Sequence, residues 1–130
     1  MKTLKSGDLI TEAAGGVNLV EGMQTWELAG ARKDDLECML ACCSAELKTM
    51  QLAGFVAAPF YFERVAILYR RAKRYEAEIA ICDEYTEAVE AFYRDRGTMS
   101  HADVRRGPRF LAIRKRRETA LRLLANPKNS

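Results

Sequence analysis

Any metal site or nucleophile in this chain would have to be built from four cysteines and one histidine. Cys38, Cys42 and Cys43 lie close together, and Cys82 stands apart. A Cys-x3-Cys-Cys run lacks the paired ligands of a zinc knuckle. Adjacent cysteines on a helix point about 100° apart, a poor geometry for a bridge. The expected state is small, buried, reduced thiols. His101 follows Ser100 in a helix-capping stretch, where a solvated ring is expected. A Ser–His–acid arrangement could use only His101, and no Gly-x-Ser-x-Gly turn is present. Gly15-Gly16 has neither the spacing nor the following Lys-Ser/Thr of a phosphate loop. Carboxylate pairs show no distinguishing pattern. The expectation is a protein that binds, with no catalytic residue, no metal and no cofactor.

Charge carries the stronger signal. The net charge is only +3, yet residues 1–60 hold 5 basic and 8 acidic side chains, and residues 61–130 hold 16 and 10. Basic residues cluster twice, at Arg70, Arg71, Lys73 and Arg74, and again at Arg105, Arg106, Arg109, Arg114, Lys115, Arg116 and Arg117. Such clusters suit an acidic protein surface, or phosphate contacts that weaken with salt. Arg70, Arg71, Lys73, Arg74, Arg105, Arg106, Arg109, Lys115 and Arg116 are the expected partner-binding residues. No recognisable nucleic-acid module accompanies them.

Two charges break the helical pattern. Advancing about 100° per residue, Glu78 falls between Cys82, Tyr85 and Val89, inside an apolar stripe. Arg117 falls between Phe110, Ile113, Leu121 and Leu124. Buried charges need partners, so an internal ion pair is expected, with Glu78 meeting Arg117 or an arginine such as Arg64 or Arg71. The alternative is that both line a partner groove.

The elements that must position these residues read as helices. At 130 residues the chain is long enough to bury a core without disulfides or metal. No apolar run approaches the roughly 18–20 residues of a membrane span, and the N-terminus shows no signal-peptide pattern. A cytoplasmic setting is expected. Residues 1–33 read as an arm, either irregular or a short hairpin around Ala14-Gly15-Gly16, with Trp26 pinning it by burying its ring. The helical domain is expected over residues 34–126, with a frayed tail at 127–130. Asp34 and Glu37 suggest a capping box for a helix whose face is Leu36, Met39, Leu40, Cys43, Leu47 and Met50. Gly54 stops that helix. Pro59 opens the next, a third runs from about Tyr75 to Tyr93, and Gly97 ends it. The third helix should bury Ile79, Cys82, Tyr85, Val89 and Phe92. Ser100 can cap a short turn through Val104, and a last helix near 108–124 should bury Phe110, Ile113, Ala120, Leu121 and Leu124.

The pattern Phe62, Val65-Ala66, Tyr69, Lys73-Arg74-Tyr75 and Ile79 resembles one tetratricopeptide repeat over residues 59–92. That resemblance implies two antiparallel helices interlocked around a tight turn, partner binding and no inherent catalysis. Glu78 and Tyr85 stand where the repeat carries small alanines, and no second copy follows at a period near 34. The expected fold is therefore all-α, with three to four main helices around one such hairpin, completed by other helices or by another subunit. The expected function is a protein–protein interaction module, an adaptor, inhibitor or regulator of another protein, whose target could include a nucleoprotein complex. The alternative is a nucleic-acid-binding accessory protein using the same basic turn and C-terminal helix. Self-association stays open.

Overall fold

The computed structural model describes residues 19–97 and 103–129. They form five α-helices, two short 3-10 turns and one two-stranded ladder, an all-α fold. The helices are α1 (Thr25–Ala31), α2 (Leu36–Ala53), α3 (Pro59–Arg71), α4 (Tyr75–Arg96) and α5 (Pro108–Ala125). The chain divides into two compact units between Tyr61 and Phe62.

The first unit opens with a hairpin. Strand β1 (Leu19–Val20) pairs antiparallel with β2 (Met23–Gln24). Glu21 and Gly22 both take positive φ, at 54° and 77°, the backbone that a two-residue hairpin turn needs. The hairpin expected around Gly15-Gly16 lies outside the described residues. Helix α1 follows at once, its first turn closed by the Gln24 backbone N–H donating to Glu27 Oε2 at 2.8 Å. This helix turns Thr25 and Leu28 inward. Trp26 lies two positions from Leu28, about 200° around the helix, and is 55% exposed. The ring expected to pin the arm is on the surface instead, with its indole N–H donated to Gln24 Oε1.

Helix α2 is capped by Asp35, one residue later than expected. The Asp35 Oδ1 accepts the Cys38 backbone N–H at 3.0 Å, satisfying one of the orphan donors of the first turn. Gly54, at φ +73°, ends the helix with its N–H on Met50 O. The buried face is Cys38, Met39, Cys42, Cys43, Ala45, Thr49 and Met50, while Leu36, Leu40 and Leu47 are half-buried. Small side chains thus occupy much of the inner face. Glu46 fastens this unit at two points, accepting from Thr25 Oγ1 at 2.8 Å and from the Ala58 backbone N–H at 3.2 Å. Replacing Asp35 with alanine should cost about 1 kcal/mol, read as a lowered midpoint in urea unfolding at unchanged slope.

The second unit is built from three helices. The turn between α3 and α4 closes with Arg74 N–H on Tyr69 O and Lys73 N–H on Arg70 O, and Lys73 takes φ +58°. This double bond around a left-handed residue is a helix C-terminal motif in which glycine is the usual occupant. Phe62 from α3, Tyr85 from α4 and Phe110 from α5 stack at the centre, with ring centroids 4.5 Å and 6.1 Å apart. Val65, Ala66, Ile81, Cys82, Val89, Ile113 and Ala120 complete the core. Phe62 meets Tyr85 while Arg70 meets Glu78, so α3 and α4 run antiparallel. Helix α5 reverses again along α4.

In α4 and α5 four expected core positions depart from the periodic expectation, the first being Ile79, which is half-buried while Ile81 is buried. Tyr93 is buried where Phe92 was expected, and its hydroxyl accepts the Val104 backbone N–H at 2.9 Å. Leu121 and Leu124 are 42% and 41% exposed. The inner line of α5 is Phe110, Ile113 and Ala120, with Arg116 reaching inward between the last two, so the buried face keeps three expected positions and is rotated toward Arg116, away from Arg117. The short turn before α5 spans Val104–Arg106 and is capped by Asp103; the turn expected from Ser100 lies outside the described residues.

Candidate functional site

Glu78 is the only acidic residue that the described residues bury completely, at 0% exposed. Its carboxylate accepts from Arg70 twice, Nε to Oε1 at 2.9 Å and Nη2 to Oε2 at 2.9 Å. Arg116 Nη1 donates to Oε2 at 3.0 Å. Arg70 Nη2 also donates to the Arg116 backbone carbonyl at 2.9 Å. One carboxylate thereby ties α3, α4 and α5 together through fork-shaped guanidinium bonds. The internal pair expected between Glu78 and Arg117, Arg64 or Arg71 is corrected to Arg70 and Arg116. Arg117 is 42% exposed and bonds Asp83 instead, because the rotation of α5 carries it to the rim.

This arrangement redistributes the basic clusters. Arg70 and Arg116, expected on the exterior, spend their guanidinium groups inside the clamp, with side chains 28% and 23% exposed. Arg105 is held in the same manner, by Asp103 at 2.6 Å and Glu90 at 2.9 Å, and lies over the Tyr93 ring. Arg109 pairs with Glu63 at 2.8 Å while staying exposed. Arg71, Lys73, Arg74, Arg106 and Lys115 are exposed, with Arg74 lying over the Tyr69 ring. The bond from Arg70 to the Arg116 carbonyl places the α3–α4 turn beside the middle of α5, whereas Arg105 and Arg109 pair with Glu90 and Glu63 toward the opposite ends of α4 and α3.

Two acids, one in each unit, are tuned. The guanidinium of Arg105 holds the Asp103 carboxyl below its usual range. The Cys38 backbone N–H, followed by Arg32, does the same for Asp35. A depressed folded-state pKa contributes stability above the unfolded value near 3.9, and that contribution disappears as pH falls through the folded one. Acid titration should therefore destabilise the chain below about pH 4, and the double variant Asp35→Asn, Asp103→Asn should lose part of this slope. Melting curves collected between pH 2 and pH 6 measure it.

The thiols are buried at all four positions, and none forms a disulfide. Burial pushes Cys42 up to about 12, helped by neighbouring Cys38. Cys82 is likewise pushed up to about 12 by burial, and next by Glu78. At neutral pH both stay protonated, and a protonated thiol is a poor nucleophile. No group of three or more His, Cys, Asp or Glu side chains among the described residues could hold a metal ion; His101 lies outside them. No described helix is long and apolar enough to cross a membrane.

Among the described residues, two of the surface grooves stand out. One of about 460 Å³ lies in the first unit, between β1 and α2, with Leu19, Val20, Cys38, Ala41 and Ala45 on its walls and Arg32, itself bonded to Glu21 and Asp35, at its edge. The other, of about 320 Å³, lies between α4 and α5 and is lined by Asp83, Thr86, Glu87, Arg114, Arg117 and Glu118. Neither was visible in the residue pattern, since each depends on how separate elements of the chain pack. The exposed leucines of α5, Leu111, Leu121 and Leu124, were also missed; an apolar residue at helical spacing reads as core until its neighbours are known. Comparison with known protein families, characterised proteins and solved structures finds no match to this chain. The tetratricopeptide resemblance rests on its residues alone.

Proposed function

We propose that this chain is a non-enzymatic protein–protein interaction module, an adaptor or an inhibitor that regulates another protein through an acidic surface. The observation that carries this reading is the exposed basic set Arg71, Lys73, Arg74, Arg106 and Lys115, carried by α3, α5 and the turns that join the three helices Glu78 clamps together. A frame held in place before docking avoids the cost of ordering its backbone, although each long basic side chain still loses rotamer freedom. Complementary potentials also raise the rate of encounter. Four reduced, buried thiols suit a reducing compartment such as the cytoplasm.

Phosphate could occupy the same side chains, so the second reading is an accessory protein for nucleic acid. Pull-down from native extract, repeated with Arg71→Ala, Lys73→Ala, Arg74→Ala and Lys115→Ala combined, separates the two. The proposal expects a defined protein complex that survives nuclease treatment and is lost in the variant, whose melting temperature stays that of the wild type. Recovery of nucleic acid alone, with the logarithm of the affinity falling linearly with log salt, would replace it with the second reading.

A further inference from the structure

We infer that the outer seam of α5 docks an acidic amphipathic helix from a partner protein, an inference that rests on the proposed function and names the chemistry of the partner. Leu111, Arg114, Glu118, Leu121 and Ala125 are all exposed, and they follow one another at alternating steps of three and four residues. That spacing keeps one line along a helix and is the spacing of a seam that receives another helix. Leu111 is 52% exposed and Leu121 42%, with Leu124 at 41% beside the end of the line. The seam runs about 20 Å, enough for three to four turns of a partner.

Charge selects the occupant. Arg114, Lys115 and Arg122 are exposed on or beside the seam, against the single acid Glu118. A second copy presenting its own α5 would bring those three cations against their equivalents, which disfavours self-pairing. Nucleic acid would use the cations but gain little from the leucines, since single strands are read by aromatic stacking and duplexes by groove contacts. A helix with an apolar stripe flanked by carboxylates uses both. Asp83 and Glu87 border the cleft on the α4 side of the seam, so the carboxylates of the partner should settle on the opposite flank, over Lys115 and Arg122. Leucine side chains would then fill the spaces around Leu111 and Leu121, the helix-in-groove mode of recognition.

The probe is a fluorescein-labelled helical peptide of three heptads with leucine at a and d and glutamate on both flanks. Its control has the same composition with the leucines dispersed, so that no stripe forms. Anisotropy titration of the full chain should show binding of the striped peptide at least tenfold tighter than the control. Leu111→Ser with Leu121→Ser should weaken it at least tenfold while leaving the melting temperature unchanged, because both side chains are exposed in the free chain. Amide shifts in 15N-labelled full chain should fall on residues 111–125. Equal binding of the two peptides, leucine variants that bind like wild type, or shifts confined to other surfaces would overturn the inference. Light scattering that finds a dimer sensitive to the leucine variants would overturn it too, in favour of a second copy. If the leucine variants still recover the protein complex that the basic variant loses, the docking seam falls and the proposed function stands; if wild type recovers no protein complex, both fall.

Discussion

Replacing Glu78 with lysine should lower the melting temperature of the second unit by on the order of 10–20 °C. The wild-type carboxylate is fully buried and accepts three bonds from Arg70 and Arg116. Lysine at this position would remove the only anion of the cluster and place a third cation against two others. Breaking a buried ion pair by removing one partner costs about 3–5 kcal/mol, since the remaining charge is left without compensation. Glu78→Leu should be milder, at about 1–3 kcal/mol. Arg70 and Arg116 are 28% and 23% exposed, so both can turn their unpaired guanidinium groups toward water. The order wild type, Glu78→Leu, Glu78→Lys in a thermal melt is the expected result. Equal melting of all three would show that the clamp contributes nothing to stability.

Tyr85→Ala is the second large effect. Tyr85 is 0% exposed and touches Phe62 on one side and Phe110 on the other, so its ring joins side chains from α3 and α5. Removing a buried aromatic ring typically costs about 3–5 kcal/mol through lost burial and the cavity left behind. Tyr85→Phe keeps the ring and should cost far less. Denaturant unfolding followed by circular dichroism distinguishes them: the alanine variant should shift the midpoint down strongly, and the phenylalanine variant by a small fraction of that. The ring fills the space between the α3–α4 hairpin and the added helix α5.

Much of the helical order was legible from residue types. Pro59 opens α3, Gly54 and Gly97 end α2 and α4, and Pro108 opens α5; each acts locally through φ, a missing N–H or a left-handed cap. The misplaced N-cap of α2 has an equally local cause. Asp34 and Asp35 are both good caps, and only the closing backbone geometry decides which one meets Cys38. Trp26 was harder to read, because a large ring is assigned to the core unless the helix phase is known, and α1 is only seven residues long. In α5 the apolar positions 110, 113, 120, 121 and 124 fit more than one rotation about the axis, and the arginines at 116 and 117 are adjacent.

The basic sets show the same division. Composition placed the charge in the second half of the chain, and periodicity marked Glu78 as buried; both depend only on residue type and helical phase. Which arginine answered Glu78 was decided by the packing of three helices, because Arg70 and Arg116 are 46 residues apart and meet only when α5 lies along α4. That choice set the rotation of α5, sent Arg117 to Asp83 and left Leu111 and Leu121 facing water. Local chemistry thus determined the helices and their ends, while long-range pairing of charge, which no residue carries alone, decided which face each helix shows.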